Sequence, residues 1–517
     1  MPATLEEIKK GELRSPNVVG RRKLWLLLGI GIFVFFVAAA VFFIRDWPFT
    51  PRNVVKELEL ATSSKVQFAT FKRNFLPHPG CVLESVTLTR GSKPGEQVVM
   101  KVRELTIKGK WTGLIQKHVA VIRAEGVDAV FPPIGTGPSW KPTETDVVVD
   151  KLIANGASLQ FMRHDPRHEP VKFTIQKFVG HHLAAHDPMK FEVSLLNPQP
   201  PGQIDASGTF GPWKQEQVSQ TPVSGNYSFR NADLSSFGGI RGILSSDGVF
   251  QGTLESIEIK GKTTTPDFGT TDTPHRLDLS NEFHADVDAT NGDVTLHKVR
   301  SRLVKTIINS RGSVASQRTE DGKSANLEFD VRDGRIQDLL LLFVSEKQAP
   351  LNGEISLRAR TLVPPGTGPF LKRVQMTGDF GIESAQFTKA ETQNNVNKLS
   401  TAGQGQGDHT DDPESVLSDV EGHVVVKDGI AIFTGLRFRV PGARTRLDGT
   451  FDLITQKVDL RGMLYMDAKL PEATSGVKSF LLKAIDPFLK KNRRGGAKMP
   501  VSITGTYQHP SYKADPV

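Results

Sequence analysis

The sequence predicts a mainly β protein: an elongated antiparallel meander with one transmembrane helix near its N-terminus and one amphipathic helix near its C-terminus. Three observations predict it: alternating apolar and polar residues along most of the chain, Asn-Gly and Asp-Gly pairs between the alternating runs, and one uncharged apolar stretch. Alternation is clear in Phe191-Val193-Leu195, in Ile257-Ile259, and in Leu327-Phe329-Val331, where Glu328, Asp330 and Arg332 take the other positions. It recurs in Leu447-Phe451-Leu453 and Val458-Leu460-Leu464-Met466. A period of two gives each strand one buried and one wet face.

Asn155-Gly156, Asp247-Gly248, Asn291-Gly292, Asp333-Gly334, Asn352-Gly353 and Asp428-Gly429 fall between such runs. These pairs accept the positive φ angles of two-residue hairpin turns, so each is expected to be one. The clearest is VVVKDGIAIF, in which Val424 and Val426 are expected to face Ile430 and Ile432 across Asp428-Gly429.

The uncharged stretch, LWLLLGIGIFVFFVAAAVFFI, runs from Leu24 to Ile44. At about 1.5 Å per residue it covers roughly 30 Å, the hydrocarbon thickness of a bilayer. A signal peptide has a shorter apolar region ending at a small-x-small site. Ala38 to Ala40 offer such a site, but Val41, Phe42, Phe43 and Ile44 continue the apolar run beyond it. The expectation is an uncleaved anchor. Lys9, Lys10, Arg14, Arg21, Arg22 and Lys23 precede it, and only Arg45 follows closely, beside Asp46. Positive residues stay cytoplasmic, which puts residues 1–23 inside and 45–517 outside.

The exported portion is too long for one ordinary core. Hydrophobic residues make up only 38% of a chain with 47 Gly, the balance of an elongated body with much surface. Phe supplies 30 residues and Tyr only 4, which suits an oily lining. Cys81, the single cysteine, makes no intrachain disulfide and reads as a buried small hydrophobe. The net charge of +9 gathers at the two ends and forms no nucleic-acid stripe.

Along the chain, Thr50-Pro51 opens a short helix with Val54, Leu58 and Ala61 on one face. Residues 45–389 form the main β region, with a Pro/Gly loop at 132–146. Residues 390–415 are polar and Gly/Gln-rich, expected as a flexible insertion. Residues 416–517 are a C-terminal β region that includes a helix at 475–491. In that helix Val477, Phe480, Leu481, Ile485, Phe488 and Leu489 share one face, opposite Lys478, Lys483 and Lys490, and Pro487 kinks or ends it. Its apolar face either closes the end of the sheet or lies on lipid headgroups.

Chemistry-bearing motifs are absent. There is no nucleophile elbow, Walker loop or Cys-pair zinc spacing. Gly261-Lys262-Thr263 lacks the leading Gly of a phosphate loop and sits in a strand pattern. His181, His182 and His186, like His164 and His168, lie beside Asp-Pro breaks and read as solvated loops. Asp411-Asp412 falls in the polar insertion. No catalytic, cofactor or metal residues are expected, so the chain does not read as an enzyme.

Three segments resemble the AsmA-like family of inner-membrane-anchored periplasmic proteins of bacteria. WPFTPRNVVKELELATSSKVQFATFKRNFLPHPGCVLESVTLTR is similar to its entry segment, and VVVDKLIANGASLQF to its strand–Asn-Gly–strand unit. DLRGMLYMDAKLPEATSGVKSFLLKAIDPFLKKNRRGGAKMPVSITGTYQHPSYKAD is similar to its C-terminal region. The resemblance implies a twisted, taco-like sheet with an apolar groove that binds or conducts phospholipid between membranes, serving outer-membrane lipid homeostasis without a cofactor. The alternating strands then supply the groove residues: Phe191, Val193, Leu195, Ile257, Ile259, Leu327, Phe329, Val331, Val424, Val426, Ile430, Ile432, Phe451 and Leu460. Expected partners are phospholipid, the inner membrane through 24–44, and the outer membrane or an envelope protein at the C-terminal end, but no nucleic acid. At about 4.8 Å per strand, roughly 25 strands give a groove of at most roughly 120 Å, short for the family. The alternative is a scaffold for outer-membrane protein assembly that works by strand addition at a sheet edge.

Overall fold

The computed structural model describes residues 48–513, except 91–96, 114–117, 132–146, 163–170, 185, 215–216, 272, 318–319, 367, 405–415, 468–497 and 507–508. The predicted anchor at 24–44 and the predicted amphipathic helix at 475–491 lie outside the described residues. Among the described residues, no helix is long and apolar enough to cross a membrane.

The chain begins with α1 (Pro51–Thr62) and then turns almost wholly to strands. The first part holds β1 (Lys65–Gln67), β2 (Thr70–Asn74), β3 (Gly80–Arg90), β4 (Gln97–Gly109), β5 (His118–Phe131), β6 (Val148–Phe161) and β7 (Val171–Leu183). Next come β8 (Met189–Pro198), β9 (Pro201–Phe210), β10 (Pro222–Asp233), β11 (Ile240–Arg241), β12 (Ile243–Thr253), β13 (Ser256–Thr270), β14 (Leu277–Asp288) and β15 (Asp293–Leu303). Then follow β16 (Thr306–Gln317), β17 (Glu320–Arg335), α2 (Ile336–Leu340), β18 (Leu351–Val363), α3 (Phe370–Arg373), β19 (Gln375–Phe387) and α4 (Ala390–Gly403). Last are β20 (Ser418–Lys427), β21 (Ile430–Val440), β22 (Ala443–Asp452), β23 (Lys457–Met466), β24 (Lys498–Thr506) and β25 (Pro510–Lys513).

All 25 strands belong to one open sheet. Strands β1 and β2 both pair with β3, and from there nearly every strand pairs with the next in sequence, to β25. The short β11 instead lies beside β13, and β10 pairs directly with β12. One pair is parallel, β5 with β6; every other pair is antiparallel. At about 4.8 Å per strand the sheet is roughly 100 Å across.

The Asn-Gly and Asp-Gly pairs divide into two kinds. Asp428-Gly429 makes the expected two-residue hairpin, with φ of 54° and 79° and Lys427 opposite Ile430. Asn291-Gly292 lies in the β14–β15 turn, where Gly292 N donates to Asp288 O at 2.6 Å. The other four lie inside strands. Asn155-Gly156 is within β6, so Val148–Phe161 is one strand and not two around a turn. Asp333-Gly334 and Asn352-Gly353 stand where the register of β17 and β18 shifts, and Asp247-Gly248 is mid-strand in β12. A positive φ suits a bulge as well as a hairpin, so the dipeptide alone does not separate them.

The two faces of the sheet differ sharply. One carries exposed ion pairs: Arg311 and Arg360 on Glu328, Arg358 and Arg332 on Asp330, Lys262 on Glu282. Lys260, 2.6 Å from Glu258, holds that carboxyl down at about 2. The other face carries the buried clusters, and α1, α2 and α4 sit on it. Thr50 caps α1 by accepting from Asn53 N at 3.3 Å, and Val54 packs with Cys81, Leu83, Val86 and Leu105 of β3 and β4. Ile336 and Leu339 of α2 pack with Val331, Ile355 and Ile382.

The polar segment expected to be flexible is a helix over Ala390–Gly403, and only 405–415 falls outside the described residues. Val396 of α4 packs with Val440, Leu464 and Met499. Its buried polar side chains close off strand ends. Gln393 Oε1 accepts from Phe387 N at 2.9 Å, and Ser400 Oγ donates to Pro441 O at 2.8 Å. A polar helix is buried here because its side chains meet backbone groups that would otherwise lack partners.

Burial pushes the Cys81 thiol up to about 12. A maleimide added to the native chain is therefore expected to leave Cys81 unmodified and to label it rapidly in denaturant. Equal labelling rates in both states would place this residue outside the core.

Candidate functional site

Residues directly opposite one another on paired strands point to the same side of a sheet, so register alone traces each face. From β8, Val193 leads to Ala206, Tyr227, Gly248, Gly261, Phe283, Val299 and Ser310. From there the row continues through Phe329, Ala359, Gly378, Val424, Phe433, Gly449, Leu460 and Ile503. This row crosses every strand from β8 to β24 except β11, and Ser310 is its one plainly polar member. Tyr227 is its one polar aromatic.

A second row starts at Phe191 and passes Phe250, Ile259, Ala285, Leu296, Leu327, Met376 and Val426 on its way to Phe451. Ile257 heads an apolar run with Val287, Val294 and Val314. The predicted groove residues Phe191, Val193, Leu195, Ile257, Ile259, Leu327, Phe329, Val331, Val424, Val426, Phe451 and Leu460 thus share one face. It is the face that carries the buried clusters.

Ile430 and Ile432 do not join them. The two-residue loop sets Lys427 against Ile430, so Val426 meets Ala431 and Val424 meets Phe433. Ile430 and Ile432 point the other way and are 39% and 44% exposed. A one-residue difference in register reverses the face, and the sequence expectation had the wrong offset.

Strands β15 to β20 line a cavity of about 1000 Å³ that runs along Leu296, Gly312, Leu327, Thr361, Met376 and Val426, with Arg311, Glu328 and Arg360 of the ion-paired face also in its lining. Nearby, the rings of Phe380 and Phe433 meet edge-on at 6.1 Å. Helix α1 lies on the apolar face at the first strands, while α2 and α4 follow β17 and β19 and so stand on one rim. The same rim carries the end of β23 and the start of β24, between which the predicted helix at 475–491 falls.

Sequence reasoning missed two features. Tyr227 lies flat across glycines: a Cβ on Gly248 would stand 2.7 Å from its Cε1, and one on Gly261 2.7 Å from its Oη. Gly261-Lys262-Thr263 is therefore a mid-strand platform for an aromatic ring. Burial pushes the Tyr227 phenol up, and its Oη lies 3.0 Å from Ser246 Oγ. Second, the row from Leu195 and Phe229 turns polar at Ser246, Thr263, Asn281 and Ser301 before returning to Ile308 and Val331. Asn281 Nδ2 donates to Thr263 Oγ1 at 2.6 Å. Both could be read as interruptions of the apolar alternation, had the pairing partners been known. Of the histidines read as loop residues, His181 and His182 instead lie within β7, just before its last residue Leu183, because the strand pairing runs on to that residue, ahead of the Asp187-Pro188 break, and His182 Nε2 is 3.1 Å from Asp187 Oδ2.

The site is thus a long apolar face with an ion-paired face behind it, α2 and α4 on one rim and one polar patch along it. No family model, curated protein or solved structure matches this chain.

Proposed function

We propose that this chain is a membrane-anchored envelope protein whose trough binds phospholipid acyl chains and conducts them between membranes, without a catalytic step. The continuity of the apolar face from β8 to β24 is the observation that carries this reading. An acyl chain gains about 0.8 kcal/mol for each CH₂ withdrawn from water, and an unbroken dry face lets it move without giving up that gain. The open side leaves charged headgroups in water. The polar patch at Ser246, Thr263, Asn281 and Ser301 offers hydroxyl and amide groups to an ester or headgroup.

The AsmA-like resemblance supports the same reading, with the anchor in the inner membrane of a bacterium and the sheet in the periplasm. The helix predicted at 475–491 is then a second contact, with the outer membrane or an envelope protein. A scaffold for outer-membrane proteins is the second reading. It is favoured by β25, which among the described residues pairs only with β24 and covers only part of it.

A photo-crosslinking amino acid at position 329 of the full chain, activated in cells, tests the proposal. The expected product is a phospholipid adduct readable by mass spectrometry, and far less of it from position 432 on the outer wall. Adducts with β-barrel precursors and none with lipid would instead select the scaffold.

A further inference from the structure

On the outer wall, behind the trough, three side chains from β14 and β15 converge. His284 and Asp286 are two residues apart on β14 and share that wall. His297 is the extra residue of a bulge in β15, where Ala285 faces Leu296 and His284 faces Lys298. The bulge sets His297 beside the other two. Asp286 Oδ2 is 2.8 Å from His297 Nε2, and the two imidazole centroids are 4.9 Å apart. One ligand atom from each of the three lies within 4.8 Å of the others, the only such group among the described residues.

We propose that His284, Asp286 and His297 bind a divalent transition-metal cation, with zinc the best match. Two imidazoles and one carboxylate are a donor set zinc takes when a fourth position stays open. The nitrogen donors disfavour calcium and magnesium, which take oxygen ligands. In a tetrahedral site with bonds of about 2.1 Å the ligand atoms stand about 3.4 Å apart, so side-chain rotation alone completes the approach. All three side chains are partly exposed and have room to rotate.

Glu258 of β13 adds the orienting partner such sites carry. Its Oε1 is 2.8 Å from His284 Nε2, and it also holds Lys260. A neutral imidazole that gives its one N–H to a carboxylate keeps the other nitrogen's lone pair for a metal. The competing explanation is two ordinary His–carboxylate ion pairs. Those pairs give the 4.9 Å approach of the two rings no role, whereas one cation shared between the rings accounts for it. Lys298 opposite His284 is exposed. A bound cation would tie β14 to β15 where the bulge bends the wall.

The experiment is a calorimetric titration of ZnCl₂ into the untagged full chain in detergent, after stripping with a chelator. One zinc per chain is expected. His284→Asn and His297→Asn should each weaken binding tenfold or more, with His181→Asn unchanged. Asp286→Asn provides a further variant should either histidine change disturb folding, which circular dichroism reads. Cobalt in place of zinc should give the visible bands of a tetrahedral centre, lost in His297→Asn. No saturable binding, or equal affinity in well-folded His297→Asn and parent chains, overturns the site.

Discussion

Replacing Phe329 with glutamate is expected to reduce the phospholipid retained by the full chain tenfold or more, with its melting temperature changed by only a few degrees. Phe329 is half-buried on β17 and lies midway along the row from Val193 to Ile503. A carboxylate there keeps its water shell, because burying an unpaired charge costs more than an acyl chain returns. An acyl chain crossing that point loses contact for about four methylenes, roughly 3 kcal/mol or about a hundredfold in occupancy. Phe329→Leu should retain lipid, since it keeps the face apolar. Ile432→Glu, on the outer wall, should do the same. Native mass spectrometry of the three variants reads the outcome. Equal loss from positions 329 and 432 would mean that the face does not matter, and the trough reading would fail.

The second large effect concerns stability. Leu83→Ala is expected to cost about 3–5 kcal/mol, the range for a large side chain removed from a site that cannot collapse around the gap. Leu83 is 0% exposed, enclosed by α1, Val54 and the neighbouring residues of β3 and β4. Leu196→Ala, at 40% exposure on β8, should shift stability by less than about 0.5 kcal/mol. Amide hydrogen exchange is the suitable readout because it reports where protection is lost. Loss for Leu83→Ala should concentrate in α1 and β1 to β5. Uniform loss across all strands would mean that the sheet unfolds as one unit.

The alternating pattern was enough to place Phe191, Ile257, Phe329 and Leu460 on a common face, because a period of two survives any pairing that keeps parity. It failed at Ile430 and Ile432, where the face depends on the number of residues in the turn, a property of the hairpin and not of either strand. The parallel pair β5–β6 was not legible, since strand direction depends on the path of the chain between Phe131 and Val148. Residues 390–403 misled through composition. Gln393, Asn397 and Ser400 look solvated in isolation, yet each bonds to a group that only the folded rim presents. The cluster of His284, Asp286 and His297 had a faint trace, a His-x-Asp followed across a turn by another His, but the bulge that completes it is invisible in one dimension.

Because almost every strand pairs only with its immediate neighbours, the molecule is built like a row of planks. Inserting or deleting an antiparallel hairpin changes the row's length by two planks, yet returns the chain to the same rim with its oily side still facing inward. Length can therefore be altered without redesigning a core, as in repeat proteins whose units touch only the units beside them. The width of such a sheet is set by the number of its hairpins and by nothing else in the fold.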